Sequence, residues 1–295
     1  MPNRKTEHPS YNDGMTVRMI AMDIDGTLLD TRHELPAANR EAIEEAAARG
    51  IEMVLVTGRR FDFARPIAER IGCELTLVVN NGALIKSKAG ETHLRNLLPR
   101  ELAREVLGAT REFRSGTAVV FDRARERQVI FERVFWDDPV SSGYYQRNRE
   151  FIAECAPLED CLEEDPIQVM FTGSVARMRA ALAALEALPR ARDFALALAE
   201  YEARDFSILD VIRQGCSKGA ALAEWTRRRG VAREDVMAIG DNWNDRDMLE
   251  FAGLPVVMGN SVAELKSQGW AVTGTNDEAG VAAAIRKYAL DGRGR

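Results

Sequence analysis

The sequence predicts an α/β protein in which a doubly wound, parallel sheet is interrupted by an inserted α+β domain. Two observations lead to this prediction. Short apolar runs alternate with segments of helical spacing in two separate blocks of the 295-residue chain, and such alternation is typical of parallel sheets built from β–α–β units. Between the blocks, residues 86–205 follow a different pattern and are numerous enough to form a small domain.

The two alternating blocks, residues 16–85 and 206–290, are predicted to form the core. Their strands are short apolar runs, and their helices have apolar residues at intervals of three and four. Strands are predicted at 19–22, 53–56, 75–79, 236–239, 255–258 and 270–272, and helices at 36–49, 61–71, 218–229, 245–251, 262–268 and 278–288.

The middle of the chain predicts the inserted domain. Strands are expected at 117–121, 128–135, 167–171 and 194–199, with another at 206–211 beside the boundary, and a helix rich in Ala and Leu at 175–188. Several strands around one long helix indicate an α+β arrangement. The polar residues 1–15 are predicted to be a disordered tail.

Composition restricts the classes of partner. A net charge of -6 argues against nucleic acid. No apolar run approaches the roughly 18 residues of a membrane span, and the N-terminus lacks the apolar segment of a signal peptide. Cys73, Cys155, Cys161 and Cys216 lack the paired spacing of a zinc site, so reduced thiols and a cytoplasmic location are expected. The oligomeric state is not specified by the sequence.

Two carboxylates follow the first predicted strand. Asp23 and Asp25, in the run Asp-Ile-Asp-Gly-Thr, project to the same side of an extended chain. Their repulsion of about 4 kcal/mol at an effective dielectric near 20 must be offset by a shared proton, a basic side chain or a metal ion. The pair suits a carboxylate that attacks while its neighbour transfers a proton; the alternative is an acidic turn after the strand.

Two further motifs follow predicted strands, at the edge where ligands bind in open α/β sheets. Thr57 and Gly58 offer a hydroxyl and an accessible backbone, which suit a phosphate oxygen. Asp241, Asn244 and Asp245 have the spacing that gathers them on one face of a helical turn. Their oxygens suit a hard cation such as Mg²⁺. The alternative is an Asp N-cap with a solvated first helical turn. For Asp245 in particular, we expect that it either caps the following helix or supports the other residues of the site.

Lys218 begins a predicted helix, where its charge opposes the helix dipole. A bound anion would relieve this conflict; an ordinary exposed lysine is the alternative. The run Gly-Cys-Ser-Lys-Gly around it also matches the nucleophile elbow of serine hydrolases. We reject that match because the fold requires a histidine after the serine, whereas His8, His33 and His93 all precede Ser217. Ser217 is therefore predicted to be the N-cap of the helix.

Taken in chain order, these motifs resemble those of the haloacid dehalogenase (HAD) superfamily, and specifically of its Cof-like phosphatases of subfamily IIB. The resemblance includes Asn-Asn-Gly-Ala from residue 80, Met-Gly-Asn from residue 258 and Asn-Asp-Glu-Ala-Gly-Val from residue 276. It covers about residues 17–288 and is weakest in the inserted domain. It implies a Rossmann-like core with an α+β cap domain.

The resemblance also implies a Mg²⁺-dependent phosphatase that forms an aspartyl-phosphate intermediate. Asp23 would be the nucleophile, and Asp25 would protonate the leaving alcohol and then activate water. Dehalogenases of the superfamily lack the second aspartate, so its presence favours phosphoryl chemistry. The other implied roles are phosphate binding by Ile24, Thr57, Gly58, Lys218 and Asn244, Mg²⁺ binding by the Asp23 carboxylate, the Asp25 backbone carbonyl and Asp241, and support of these groups by Asp245.

The implied substrate is a small phosphorylated metabolite, such as a sugar phosphate, whose leaving group the cap would select. Arg123, Arg125, Arg127 and Arg133, on a predicted hairpin, either bind a second anionic group of the substrate or form a solvated face. Two other functions stay open: a sugar phosphomutase, which would return the phosphoryl group to its substrate, and a non-catalytic sugar-phosphate sensor. The complete catalytic set argues against the sensor, because a binder needs neither a nucleophile nor an acid.

Overall fold

The structure, a computed structural model, describes residues 16–137 and 142–291. The predicted tail at residues 1–15 lies outside the described residues. The described chain forms two compact units, one of residues 16–94 and 217–291 and the other of residues 95–216. Among the described residues, no helix combines the length and apolar character that crossing a membrane requires.

Fourteen strands are found in the described residues, and they are listed here in chain order. They are β1 (Met19–Met22), β2 (Glu52–Val56), β3 (Thr76–Val79), β4 (Leu84–Ser87), β5 (Thr92–Arg95), β6 (Thr117–Val120), β7 (Val129–Phe131), β8 (Ile152–Glu154), β9 (Gln168–Gly173), β10 (Phe194–Tyr201), β11 (Phe206–Arg213), β12 (Val236–Gly240), β13 (Leu254–Val257) and β14 (Ala271–Val272).

Nine α-helices accompany these strands in the described residues. They are α1 (Ala37–Ala48), α2 (Phe61–Glu69), α3 (Arg100–Ala109), α4 (Ser142–Arg147), α5 (Val175–Glu186), α6 (Lys218–Arg229), α7 (Arg246–Phe251), α8 (Ala263–Lys266) and α9 (Gly280–Ile285).

The first unit is built on an eight-stranded sheet with the order β14-β13-β12-β1-β2-β3-β4-β5. The strands from β14 to β3 are parallel, and β4 pairs antiparallel with β3. Every residue of β1 is buried, which requires that both faces of the sheet be covered. Residues of α6 and α7 such as Leu222 and Leu249 pack in one apolar cluster with Ala21 and Val54. The predicted α/β class with a parallel-dominated sheet is therefore confirmed.

The second unit is built on a six-stranded sheet with the order β10-β11-β9-β6-β7-β8. Its pairs are antiparallel except β7 with β8. Side chains alternate between the two faces of a strand, so Val169 and Phe171 of β9 share a face. They lie in one apolar cluster with Val106 of α3 and Met178 of α5.

The larger differences from the predicted elements concern the second unit and its boundaries. The strand predicted at 128–135 ends at Phe131, because the Val134 N–H donates to the Glu154 side chain at 2.5 Å instead of pairing with a strand. The strands β4 and β5 extend the first sheet beyond residue 85, and β11 pairs with β9 and β10 in the second sheet. The chain therefore passes from one unit to the other between residues 94 and 95 and between residues 216 and 217. The sequence had placed these boundaries at 85/86 and 205/206. That each unit is an autonomous domain stays a prediction.

Candidate active site

The carboxyl ends of three neighbouring strands bring the predicted motifs together. The strand β1 lies between β12 and β2 and is parallel to both, so the residues that follow these strands meet at one edge of the sheet. Asp23 continues the β1 pairing, since its N–H donates to the Ile239 carbonyl at 3.0 Å. Thr57 continues the β2 pairing in the same way, to Val78 at 2.9 Å. Asp241 follows β12 directly.

Lys218 makes the central contact of the site. Its Nζ lies 2.6 Å from Asp23 Oδ1 and 2.6 Å from Asp245 Oδ1, and all three side chains are at least nine-tenths buried. The lysine reaches this place because α6 begins there, with the Ser217 hydroxyl accepting the Ala220 N–H at 3.1 Å. The prediction of Ser217 as N-cap is therefore confirmed. The alternative of an exposed Lys218 is wrong, because two carboxylates draw the ammonium inward.

The charges of these groups depend on one another. Burial alone would lower the pKa of Lys218, but the carboxylates of Asp23 and Asp245 raise it above its ordinary range. Lys218 is therefore protonated and positively charged. Burial raises the pKa of Asp23 well above its usual value, against the opposing effect of Lys218. Burial, with a further contribution from Asp245, raises the pKa of Asp241 to about 7.

The donor set fits a divalent cation. One carboxylate oxygen from each of Asp23, Asp241 and Asp245 lies within 4.8 Å of the others. Lys218 supplies one positive charge beside these three acids, so ionisation of all three would leave an excess of negative charge for a cation to neutralise. Carboxylate oxygens in this number suit Mg²⁺, whose charge would lower the raised pKa values.

Asp245 holds Lys218 and the backbone of the loop after β12 in place. Its Oδ2 accepts the N–H groups of Asp241 and Asn242, both at 3.0 Å, while its Oδ1 binds Lys218. These three hydrogen bonds occupy both oxygens, so Asp245 shapes the loop after β12. The alternative that it caps α7 from a solvated turn is wrong, because it is fully buried and makes no side-chain cap bond to that helix. Gly240 is required beside it, since a Cβ there would lie 2.6 Å from the Asp245 Cβ.

Asp25 has a partner that sequence reasoning missed. Arg59 forms a two-pronged pair with it, Nε to Oδ2 at 2.6 Å and Nη2 to Oδ1 at 2.5 Å. Paired parallel bonds of this kind fix the orientation of a carboxylate. Arg59 was visible in the sequence as the third residue of Thr-Gly-Arg, but nothing in that tripeptide shows that the arginine faces Asp25, 34 residues away.

The predicted phosphate-binding residues surround the same edge. Thr57 is buried, and its hydroxyl accepts the Arg59 N–H at 3.1 Å. Gly58 leaves no room for a side chain, since a Cβ would lie 2.9 Å from Asn81 Oδ1. Asn244 lies half-buried in the short turn Trp243–Asp245, and Ile24 is the buried residue that follows Asp23. Their roles in binding phosphate stay predictions.

The arginines of the second unit are partly engaged by acids. Arg123 pairs with Glu164 at 2.6 Å and lies over the Phe121 ring at 4.2 Å. Arg125 is 3.8 Å from Glu150. Two of the four arginines are thus paired with acids, and Arg133 lies beyond the end of β7 at Phe131. These contacts favour the interpretation as a solvated face.

Residues 20–285 match the family model of haloacid dehalogenase-like hydrolases. Phosphatase YwpJ of Bacillus subtilis is 28% identical over 286 residues, covering 90% of this chain and 98% of the relative. Pyridoxal phosphate phosphatase YbhA of Escherichia coli is 27% identical over 281 residues, covering 94% and 100%. A haloacid dehalogenase-like hydrolase structure from B. subtilis is 25% identical and covers 92% of this chain and 99% of that chain, with a TM-score of 0.77.

The parallel sheet and the matching family model together identify a hydrolase. The chain belongs to the haloacid dehalogenase-like hydrolase family. The predicted class, a Cof-like phosphatase of this superfamily, is likewise confirmed by its relatives.

Proposed function

We propose that the protein is a Mg²⁺-dependent phosphatase that hydrolyses a small phosphorylated metabolite through an aspartyl-phosphate on Asp23. The observation that carries the proposal is the buried contact of Lys218 with Asp23 and Asp245, beside Asp241 at the edge of the sheet. The substrate class is supported by the E. coli relative, which is named for its action on pyridoxal phosphate.

Asp23 and Asp25 divide the chemistry between them. An Asp23 carboxylate oxygen attacks phosphorus, so that a new P–O bond forms while the bond to the leaving alcohol breaks. Asp25, in its protonated form, gives its proton to the leaving oxygen. It then takes a proton from the water that attacks the phosphorus of the intermediate, and the P–O bond to Asp23 breaks, which releases phosphate and restores the Asp23 carboxylate. The products are the alcohol and inorganic phosphate, and both carboxyl groups return to their starting states.

The transferring phosphoryl group requires positive charge and hydrogen-bond donors. Lys218 provides a fixed positive charge beside Asp23, since its two acidic partners keep it protonated. The Thr57 hydroxyl, the amides of Ile24 and Gly58, and the Asn244 side chain are the proposed donors.

The proposed Mg²⁺ ligands are the carboxylates of Asp23 and Asp241 and the backbone carbonyl of Asp25. Mg²⁺, when bound, supplies charge neutralisation to the phosphoryl oxygens. Thr27 holds Asp241 for this role, since its hydroxyl donates to Asp241 Oδ1 at 2.8 Å.

A cytoplasmic location is proposed as well, supported by the four cysteines being free thiols.

The test is phosphate release from a panel of phosphorylated metabolites and an aryl phosphate, with Mg²⁺ and with EDTA. We expect metal-dependent release that Asp23→Asn reduces by at least about a thousandfold. Without the Asp23 carboxylate, water would have to attack the substrate directly, which is much slower. Release by Asp23→Asn within tenfold of the wild type would exclude Asp23 as the nucleophile. Transfer of the phosphoryl group back to the substrate, without free phosphate, would indicate the mutase instead.

A further inference from the structure

In the loop that carries Asp23 and Asp25, several backbone carbonyls accept hydrogen bonds from side chains outside the loop. Asp25 and Gly26 depart from helical angles, with Gly26 at φ +80. A regular ladder of hydrogen bonds is therefore broken there, and the carbonyls of the following residues need other donors.

Three asparagine side chains supply those donors. Asn260 Nδ2 donates to the Gly26 carbonyl at 2.8 Å. Asn39 Nδ2 donates to the Leu28 carbonyl at 3.0 Å, and Asn276 Nδ2 donates to the Leu29 carbonyl at 2.9 Å. Asn260 and Asn276 belong to the Met-Gly-Asn and Asn-Asp-Glu-Ala-Gly segments, for which the proposed mechanism has no use.

The oxygen ends of these amides tie the loop to the C-terminal part of the first unit. Asn260 Oδ1 accepts the Asn276 N–H at 2.9 Å, and Asn39 Oδ1 accepts the Ala282 N–H at 2.9 Å. Because each of these two amides accepts at one end and donates at the other, its orientation is determined by its surroundings. Asp277 adds a further tie, since its Oδ1 accepts both the N–H and the hydroxyl of Thr31 at 2.9 Å.

Asn260 binds the loop at Gly26, between Asp25 and the residue that contacts Asp241. Gly26 is the neighbour of Asp25 in the chain, and it approaches Asp241 so closely that a Cβ would collide with the Asp241 carboxylate. Thr27, the next residue, donates to the same carboxylate. A displacement of Gly26 would therefore move Asp25 and disturb its place relative to Asp241.

We propose that Asn260 is a positioning residue for proton transfer: its amide holds the Gly26 carbonyl and thereby aligns Asp25 with the leaving oxygen. This inference rests on the proposed function, because it concerns the acid step of that reaction. Asn39 and Asn276 are buried, so their replacement would affect folding as well. Asn260 is exposed, which makes it the residue at which positioning can be tested with the fold retained.

The test uses Asn260→Asp, which keeps the shape and the acceptor but removes the donor, and Asn260→Ala, which adds no charge. Gln268→Glu is the matched control, because Gln268 Nε2 also donates to a backbone carbonyl, that of Glu264 at 3.1 Å, on an exposed surface of the same unit. The quantity measured is kcat/KM for an alkyl phosphate and for p-nitrophenyl phosphate. The aryl oxide leaves without protonation, whereas the alkoxide requires the acid.

We expect both Asn260 variants to lower kcat/KM for the alkyl phosphate by about tenfold more than for the aryl phosphate, the factor that one orienting hydrogen bond supplies. The ratio of the two values does not depend on the fraction of enzyme that is folded, so partial unfolding cannot imitate the effect. An unchanged ratio in both variants, or an equal change in Gln268→Glu, would overturn the inference. A wild-type enzyme that releases phosphate from no compound of the metabolite panel would instead overturn the proposed function and this inference with it.

Discussion

At Lys218 the sequence shows only a lysine whose charge opposes the dipole of the helix that it begins. That conflict favoured a bound anion at the start of the helix, whereas the structure shows two carboxylates of the protein itself, Asp23 and Asp245, at 2.6 Å. The burial of the lysine could not be predicted, because it depends on how α6 packs against the sheet. For Asp245 the sequence left a cation ligand, a helix cap and a support for its neighbours open. Its three hydrogen bonds involve backbone geometry that the residue type does not specify.

The raised pKa of Asp241 predicts how the metal-free protein responds to pH. Burial and the neighbouring Asp245 raise this pKa to about 7, above the ordinary aspartate value of 3.8. The folded state therefore binds more protons than the unfolded state between about pH 4 and pH 7, so stability falls as pH rises through that window. In EDTA, we expect the wild type to lose roughly 2 kcal/mol more than Asp241→Asn between pH 5.5 and pH 8.

The measurement is urea unfolding at the two pH values, with Asp241→Asn as the control that lacks the titrating group but retains most of the contacts. Equal losses in both proteins would show that Asp241 does not titrate in this range. Millimolar Mg²⁺ should abolish the difference, since a bound cation lowers the pKa of its ligands.

At the scale of elements, apolar runs located the parallel strands of the first unit well, because strands buried on both faces have few polar positions. The strands β4 and β5 of the same sheet were not predicted. The predicted 19–22 coincides with β1, and the predicted 218–229 coincides with α6. Shorter or more exposed elements were missed. The strand β8 has three residues, none of them buried, and its pairing with β7 cannot be inferred from so weak a pattern.

At the end of β12, close packing against the turn that follows requires a glycine, Gly240. A Cβ on Gly240 would lie 2.6 Å from the Cβ of Asp245, and Asp245 cannot retreat because its hydrogen bonds hold Lys218 and the loop backbone. We expect Gly240→Ala to lower phosphate release by at least about tenfold and to destabilise the fold by about 1–3 kcal/mol, the usual cost of overpacking. Both effects are measured by steady-state kinetics and by urea unfolding.

Gly108→Ala is the matched control. Gly108 lies in the last turn of α3, and a Cβ there would meet nothing within 4 Å. This change should leave phosphate release unaltered and increase stability by about 0.5–1 kcal/mol, because alanine loses less backbone entropy than glycine in a helix. If Gly240→Ala behaves like Gly108→Ala, the close approach to Asp245 has no functional importance.

At the scale of the whole molecule, the predicted gathering of Asp23, Thr57 and Asp241 rests on one topological rule, that parallel strands place their carboxyl ends at the same edge. The rule says which segments meet but not which side chains touch. The contacts of Arg59 with Asp25 and of Asn260 with Gly26 join residues 34 and 234 positions apart. No local pattern encodes contacts of this kind, so they became visible only in the structure.

Phosphorylation of Asp23 during turnover is tested by mass spectrometry of the enzyme quenched in acid within the first turnover. We predict that the peptide containing Asp23 gains the mass of one phosphoryl group, and that the label is absent in Asp23→Asn and in the wild type without substrate. A wild type that releases phosphate in a rapid burst but carries the label on another residue, or on none, would contradict the account.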